Sequence, residues 1–157
     1  MTKIKAIPAN AQRGATLVEM ALITPAFLLL MIGVIEMSMA YFANMTMQHA
    51  VREGVRYAVT GNSDLDPDSA NRHRYQAVTQ KIRDSSMGLY DKVNPVLSVN
   101  GSSQSNAGMF GQGGDIVVVT IACSWTFATP MVRALFRDGK AHFVVAATMR
   151  NESFGGL

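Results

Sequence analysis

The alternation of hydrophobic and polar positions divides the chain into unlike parts. Residues 1–14, MTKIKAIPANAQRG, are polar and basic and contain Pro8, which reads as a disordered leader. An apolar run follows at once. No charged residue occurs from Met20 to Ile35; Glu36 interrupts, and Met37 to Ala43 continues the apolar character. As a helix rising about 1.5 Å per residue, Met20–Ala43 covers roughly 36 Å, more than a hydrocarbon core of about 30 Å. Residues 15–43 are therefore predicted as a transmembrane helix. Pro25 would cost a soluble helix about 3 kcal/mol, but membrane helices accommodate it as a kink.

The periodicity then changes. From Asn44 to Thr60, Met47, Val51, Val55 and Ala58 fall on one helical face, while Gln48, His49, Arg52, Glu53 and Arg56 lie largely on the other. Residues 44–61 thus continue the helix in amphipathic form, and Gly61-Asn62-Ser63 ends it. A single apolar stripe calls for a partner, which residues 62–157 supply as a small α+β domain. In that domain Asp66-Pro67-Asp68 has the residue types of a helix start, and Tyr75, Val78 and Ile82 give the following helix a face. Val93–Val99 is predicted as an edge strand, because Pro95 cannot donate to a ladder. Asn100–Gly114 is a Gly/Ser/Asn-rich loop. Asp115–Phe127 and His142–Arg150 are further strands, with a helical turn over Met131–Arg137 after Pro130. Helices followed by strands argue for α+β, the helix stripe packing on a small antiparallel sheet of about three strands.

Charge sharpens this division. The net charge is +3, and Lys3, Lys5 and Arg13 all precede residue 15. The remaining Lys and Arg equal the Asp and Glu in number, so the basic excess belongs to the leader alone. The body has no clustered cationic footprint for nucleic acid. The leader's cations place the N-terminus in the cytoplasm and export the C-terminal domain. The one cysteine, Cys123, excludes an intrachain disulfide and reads as a small buried hydrophobe. His49, His73 and His142 are isolated, so no metal site is expected, and no cofactor or small-molecule substrate. Asp64, Asp66 and Asp68 form the only local acid cluster, without the closing glutamate of a calcium loop. No nucleophile–base pair is apparent, and the chain is not expected to be an enzyme.

Two acids bracket the span. Glu19 follows Gly14 by five residues, just before the apolar run. By itself it reads equally as an acid favouring the helix N-terminus or as a costly carboxylate kept for a partner. Glu36 lies roughly 26 Å further along the helix. It either snorkels to the outer interface or contacts another protein. Glu53 and Arg56 are spaced to pair across a turn, and Gly54 allows a close approach of the packed domain.

The stretch RGATLVEMALITPAFLLLMIGVIEMSMAYFANMTMQHAVREGVRYAVTG closely resembles the TadE-like family of pilin-related proteins. The residues that carry the resemblance are Arg13-Gly14, Val18-Glu19, Ala21, Pro25, Gly33 and Glu36, then Ala50, Arg52, Gly54, Arg56, Ala58 and Gly61. It implies a minor pilin or pseudopilin of a tight-adherence (Tad/Flp), type IVb-like pilus system. A prepilin peptidase would cut between Gly14 and Ala15. Glu19 would become the fifth mature residue and pair with the new amino group of Ala15 on a neighbouring subunit. Implied partners are membrane lipid, the peptidase, other pilus subunits and the Tad machinery. Pro25, Gly33, Glu36, Arg52, Glu53, Gly54 and Arg56 would serve helix packing. Met20 departs from the pattern, since pilins of this system usually carry an aromatic there. The rival reading is a conventional envelope protein with no pilus role, either secreted after a cut at the signal-like Ser38-Met39-Ala40 or left as a plain membrane anchor.

Overall fold

The computed structural model describes residues 9–103, 106 and 108–153, with side-chain environments from residue 14 onward. The first eight residues of the expected leader lie outside the described residues. The leader's second half is helical, contrary to the expectation of disorder: helix α1 spans Ala9–Ala58. Ala9, Ala11, Gln12 and Arg13 are good helix formers, and the start follows directly on Pro8. The chain divides into two compact units at Ser38/Met39.

In the first unit α1 carries the apolar run. Over Gly14–Ile35 every residue is exposed except the half-buried Gly33. Mean hydropathy in the most apolar window is 2.3, with none of that window buried. The helix is long and apolar enough to cross a membrane. It runs through Pro25 without interruption. The Ser38 hydroxyl donates to the Val34 carbonyl (2.7 Å), which satisfies that polar group within the helix itself.

The second unit begins with Met39–Ala58 of α1, which packs on a three-stranded antiparallel sheet. After α1 come α2 (Arg74–Ser85), a 3-10 turn (Tyr90–Val93), β1 (Val96–Val99), β2 (Ile116–Thr126), a short α3 (Pro130–Arg133), a second 3-10 turn (Arg137–Gly139) and β3 (Lys140–Arg150). Strand β2 is central, and β1 and β3 flank it. The predicted α+β class, helix stripe and strand set are all present. Met47, Val51, Val55 and Ala58 are each fully buried. Beneath them, alternate residues of β2 (Val117, Val119, Ile121 and Cys123) face inward. The register aligns these with neighbours on the same face: Ile121 lies between Leu97 and Val145, and Val119 between Val99 and Ala147. One sheet face is thus dry and the other solvated, as an antiparallel sheet allows.

The unit has a clear polarity. α1 runs from Ala40, clustered with Phe127 and Val132, to Ala58. β2 runs the opposite way, from Ile116 beside Arg150 to Thr126 beside Lys140. The Glu152 N–H then donates to the Val59 carbonyl (3.0 Å), closing the end opposite Ala40.

Three expectations need correction. The Asp66-Pro67-Asp68 segment does not start a helix; α2 begins at Arg74 with His73 as its N-cap. The carboxylates that suit a helix cap are used in tight turns instead. Asp66 accepts from the Asp68 (2.9 Å) and His73 N–H groups, and Asp68 accepts from Ala70 (3.0 Å) and Asn71 (3.3 Å). Strand β1 begins at Val96 rather than Val93, because the 3-10 turn and the left-handed Asn94 (φ 44°) occupy the residues before Pro95. The helical turn after Pro130 is shorter than Met131–Arg137, and the second 3-10 turn follows it.

Candidate functional site

The candidate positions of the first unit sit on an exposed helix. Gly14 and Ala15 lie within helical backbone, and the Glu19 side chain is exposed. A Cβ added at Gly14 or Gly33 would meet nothing within 4 Å, so neither glycine serves a close approach inside this chain. The helix presents Leu17, Leu22, Phe27 and Leu30 outward, each more than half exposed. In water that surface would be strongly unfavourable, and in hydrocarbon it is matched. Glu36 differs from Glu19, being only 9 % exposed.

Gly54 is the candidate whose role the geometry explains most fully. A Cβ there would lie 2.2 Å from Ile82 Cγ1 and 2.9 Å from Cδ1. α2 therefore approaches α1 at a distance only glycine permits. Arg52 and Arg56 point to solvent beside it, and Glu53 is half-buried. No ion pair joins Glu53 to Arg56 among the described residues, whereas Arg83 pairs with Asp91 at 3.2 Å. The structure thus brings Gly54 into the interior and leaves its charged neighbours at the surface.

One polar centre was not singled out in the sequence. Arg74, first residue of α2, donates from Nε to the Ala58 carbonyl (2.9 Å), from Nη1 to the Gly111 carbonyl (2.8 Å) and from Nη2 to Asn151 Oδ1 (3.0 Å). The buried Asn151 passes the network on, donating to the Phe110 and Gln112 carbonyls (2.8 Å each). One guanidinium thereby ties together the end of α1, the 100–114 loop and the end of β3. Its guanidinium carbon also lies 5.8 Å from the centre of the Phe110 ring. At the helix end Gly61, in the left-handed region (φ 74°), lets its N–H return to the Ala58 carbonyl (3.1 Å).

The three acids of the 62–73 loop have local partners. Tyr57 donates its hydroxyl to Asp64. Burial and this bond raise the Tyr57 pKa, and the bond lowers that of Asp64. Burial would raise the pKa of Asp66, but the N–H groups of His73 and Asp68 outweigh it and hold the carboxyl below its ordinary value. Oriented with its amide nitrogen toward Asp66, Gln76 adds donations at 2.7 and 3.0 Å. The Cys123 thiol is buried and pushed up to about 11 by loss of solvent, matching the expected small hydrophobe. Tyr90 is buried, and Tyr57 and Trp125 are half-buried against the core.

A family model described as TadE-like protein matches residues 14–56. Gly14, Ala15, Glu19, Pro25, Gly33, Glu36, Arg52, Glu53, Gly54 and Arg56 all fall inside that match. No curated protein and no solved structure matches the chain.

Proposed function

We propose that this chain, TadE-like over residues 14–56, is a non-enzymatic minor pilin or pseudopilin of a tight-adherence pilus system. The observation that carries the reading is the union of this match with an exposed apolar helical run that Glu19 immediately precedes. In this reading the N-terminus is cytoplasmic and the second unit lies outside the cytoplasmic membrane. A prepilin peptidase removes residues 1–14, which abolishes the net positive charge and frees the Ala15 amine. Glu19 then lies close to the membrane boundary, where an opposite charge on a neighbouring subunit attracts it far more than in water. Pairing with that subunit's Ala15 amine turns an unfavourable carboxylate into an assembly contact. Pro25, Gly33 and Glu36 serve contacts along the same helix.

The rival reading, cleavage after Ala40, is disfavoured by a specific observation. Ala40 is 7 % exposed and clusters with Phe127 and Val132, so cleavage there would remove a packed residue from the start of the second unit. N-terminal sequencing of the protein from membranes decides between them. A start at Ala15 is expected; a start at Tyr41 would refute the pilin reading, and an intact Met1 would refute processing. Gly14→Asp is expected to leave a slower-migrating precursor. Glu19→Ala is expected to insert normally yet reduce pilus assembly, and unchanged assembly would remove the charge-pairing role.

A further inference from the structure

The end of the second unit that holds Ala40 carries an apolar lip that no core contact explains. Val132 of α3 points inward onto the cluster with Phe127 and Ala40. Met131, beside it in α3, and Leu135, in the turn that follows that helix, are instead turned outward. They are 59 % and 77 % exposed, although the interior is only a turn away. On the adjoining turn of α1, Tyr41 and Phe42 are 67 % and 49 % exposed. These aromatics stand where the apolar run of the sequence comes to its end at Ala43. Around the lip the cations Arg133, Arg137 and Lys140 outnumber the one acid among them, Asp138, which lies 3.0 Å from His142.

We propose that this lip, Met131 and Leu135 with Arg137 and Lys140, docks on the bilayer surface that α1 enters. Exposed aliphatic groups rimmed by cations suit the headgroup boundary of a membrane containing anionic lipid, each cation near the surface adding about fivefold to partitioning. Tyr and Trp belts occupy the same depth in spanning helices, and Tyr41 with Phe42 supplies that anchor here. The opposite end of the unit, at Ile116, is about 33 Å away along β2, which separates the two ends for a depth measurement. Docking fixes the tilt of the second unit on the membrane, so each subunit waits in one orientation before assembly. The proposal rests on α1 spanning the bilayer.

The test uses the full chain in vesicles of phosphatidylcholine and phosphatidylglycerol containing doxyl-labelled lipid. In a Cys123→Ala background, Leu28→Cys, Leu135→Cys and Ile116→Cys each carry a nitrobenzoxadiazole probe. The expected result is strong quenching at position 28, quenching at 135 about twofold above that at 116, and loss of this excess on Arg137→Ser with Lys140→Ser. Quenching at 28 with no difference between 135 and 116 overturns the lip and leaves the span standing. Equal and strong quenching at 135 and 116 overturns it too, because the unit would then lie on the membrane without a preferred end. A blue-shifted but unquenched probe at 135 would mean a second copy or another protein covers the lip, and overturns the lipid assignment. No quenching at 28 overturns both the span and the docking built on it.

Discussion

Replacing Gly54 by alanine tests whether the amphipathic half of α1 is held by a close approach of α2. The expected sign depends entirely on packing. On an open helix face the change would stabilise by about 1 kcal/mol, since alanine is the better helix former. Here the new methyl would start 2.2 Å from Ile82 Cγ1, against 3.4 Å or more for ordinary contact. Cγ1 is near the stem of the side chain, so a change at the tip cannot relieve the overlap, and Ile82 is fully buried. Overpacking of this kind costs about 1–3 kcal/mol. The contact is severe, so the upper part of that range applies, and the propensity gain leaves a net loss of about 2 kcal/mol. Ile82→Ala alone should cost about 2–5 kcal/mol through the cavity it opens. In the double variant the Gly54→Ala methyl enters that cavity, and the total should fall below the sum of the single losses by at least 1 kcal/mol or so. Urea unfolding of the full chain in detergent micelles, followed by Trp125 fluorescence, reads these values because Trp125 packs against the core. The reasoning is refuted if Gly54→Ala raises stability, or if the two substitutions are additive.

Arg74→Ala should destabilise the second unit by about 2–4 kcal/mol, since it removes charge-assisted bonds to three segments and takes the guanidinium from the buried Asn151 Oδ1. Thermal unfolding checks the loss, and hydrogen exchange should show it first in the 100–114 loop and at the end of α1. Asp66 gives a pH dependence of defined sign. Its folded pKa is lowered from 3.8, so its contribution is present above that pH and is lost as pH falls through the lower folded value. Asp66→Asn should therefore melt below the native chain at pH 7 and approach it in acid; a gap that widens on acidification would contradict the hydrogen-bond account. The Cys123 thiol, pushed up to about 11, should resist maleimide at pH 7 in the folded protein and react after denaturation, as mass spectrometry would read.

How much of this was legible in the sequence depends on the kind of interaction involved. Met47, Val51, Val55 and Ala58 announced a buried stripe because one element's own period must satisfy one neighbour. The strands announced themselves in the same way, and Asp115–Phe127 differs from β2 only at its ends. Gly54 was legible as a site of close approach because a glycine on the boundary of an apolar helical stripe has few other uses. The Asp66 turn was misread for a different reason: an aspartate before proline suits a helix cap and an Asx turn equally, and the choice falls to His73 and Gln76, further along the chain.

Arg74 shows where such reading stops. Its partners lie 16, 37 and 77 residues away, and no period in the sequence links them. A guanidinium in a polar stretch looks like any solvated cation until the fold places three acceptors around it. The apolar lip at Met131 and Leu135 is the converse case. Its residues look like ordinary core formers in sequence, and only the inward turn of Val132 shows that they have no core to enter. In the 14–56 segment the two kinds of evidence meet. Its last turns are explained by packing within the chain, through Gly54 and the stripe. Its first turns, with Gly14 facing open space and Glu19 exposed, have no such explanation. In the reading proposed above, Glu19 at the start of the apolar run answers to an assembly and not to the fold, because a carboxylate carried into hydrocarbon needs a partner.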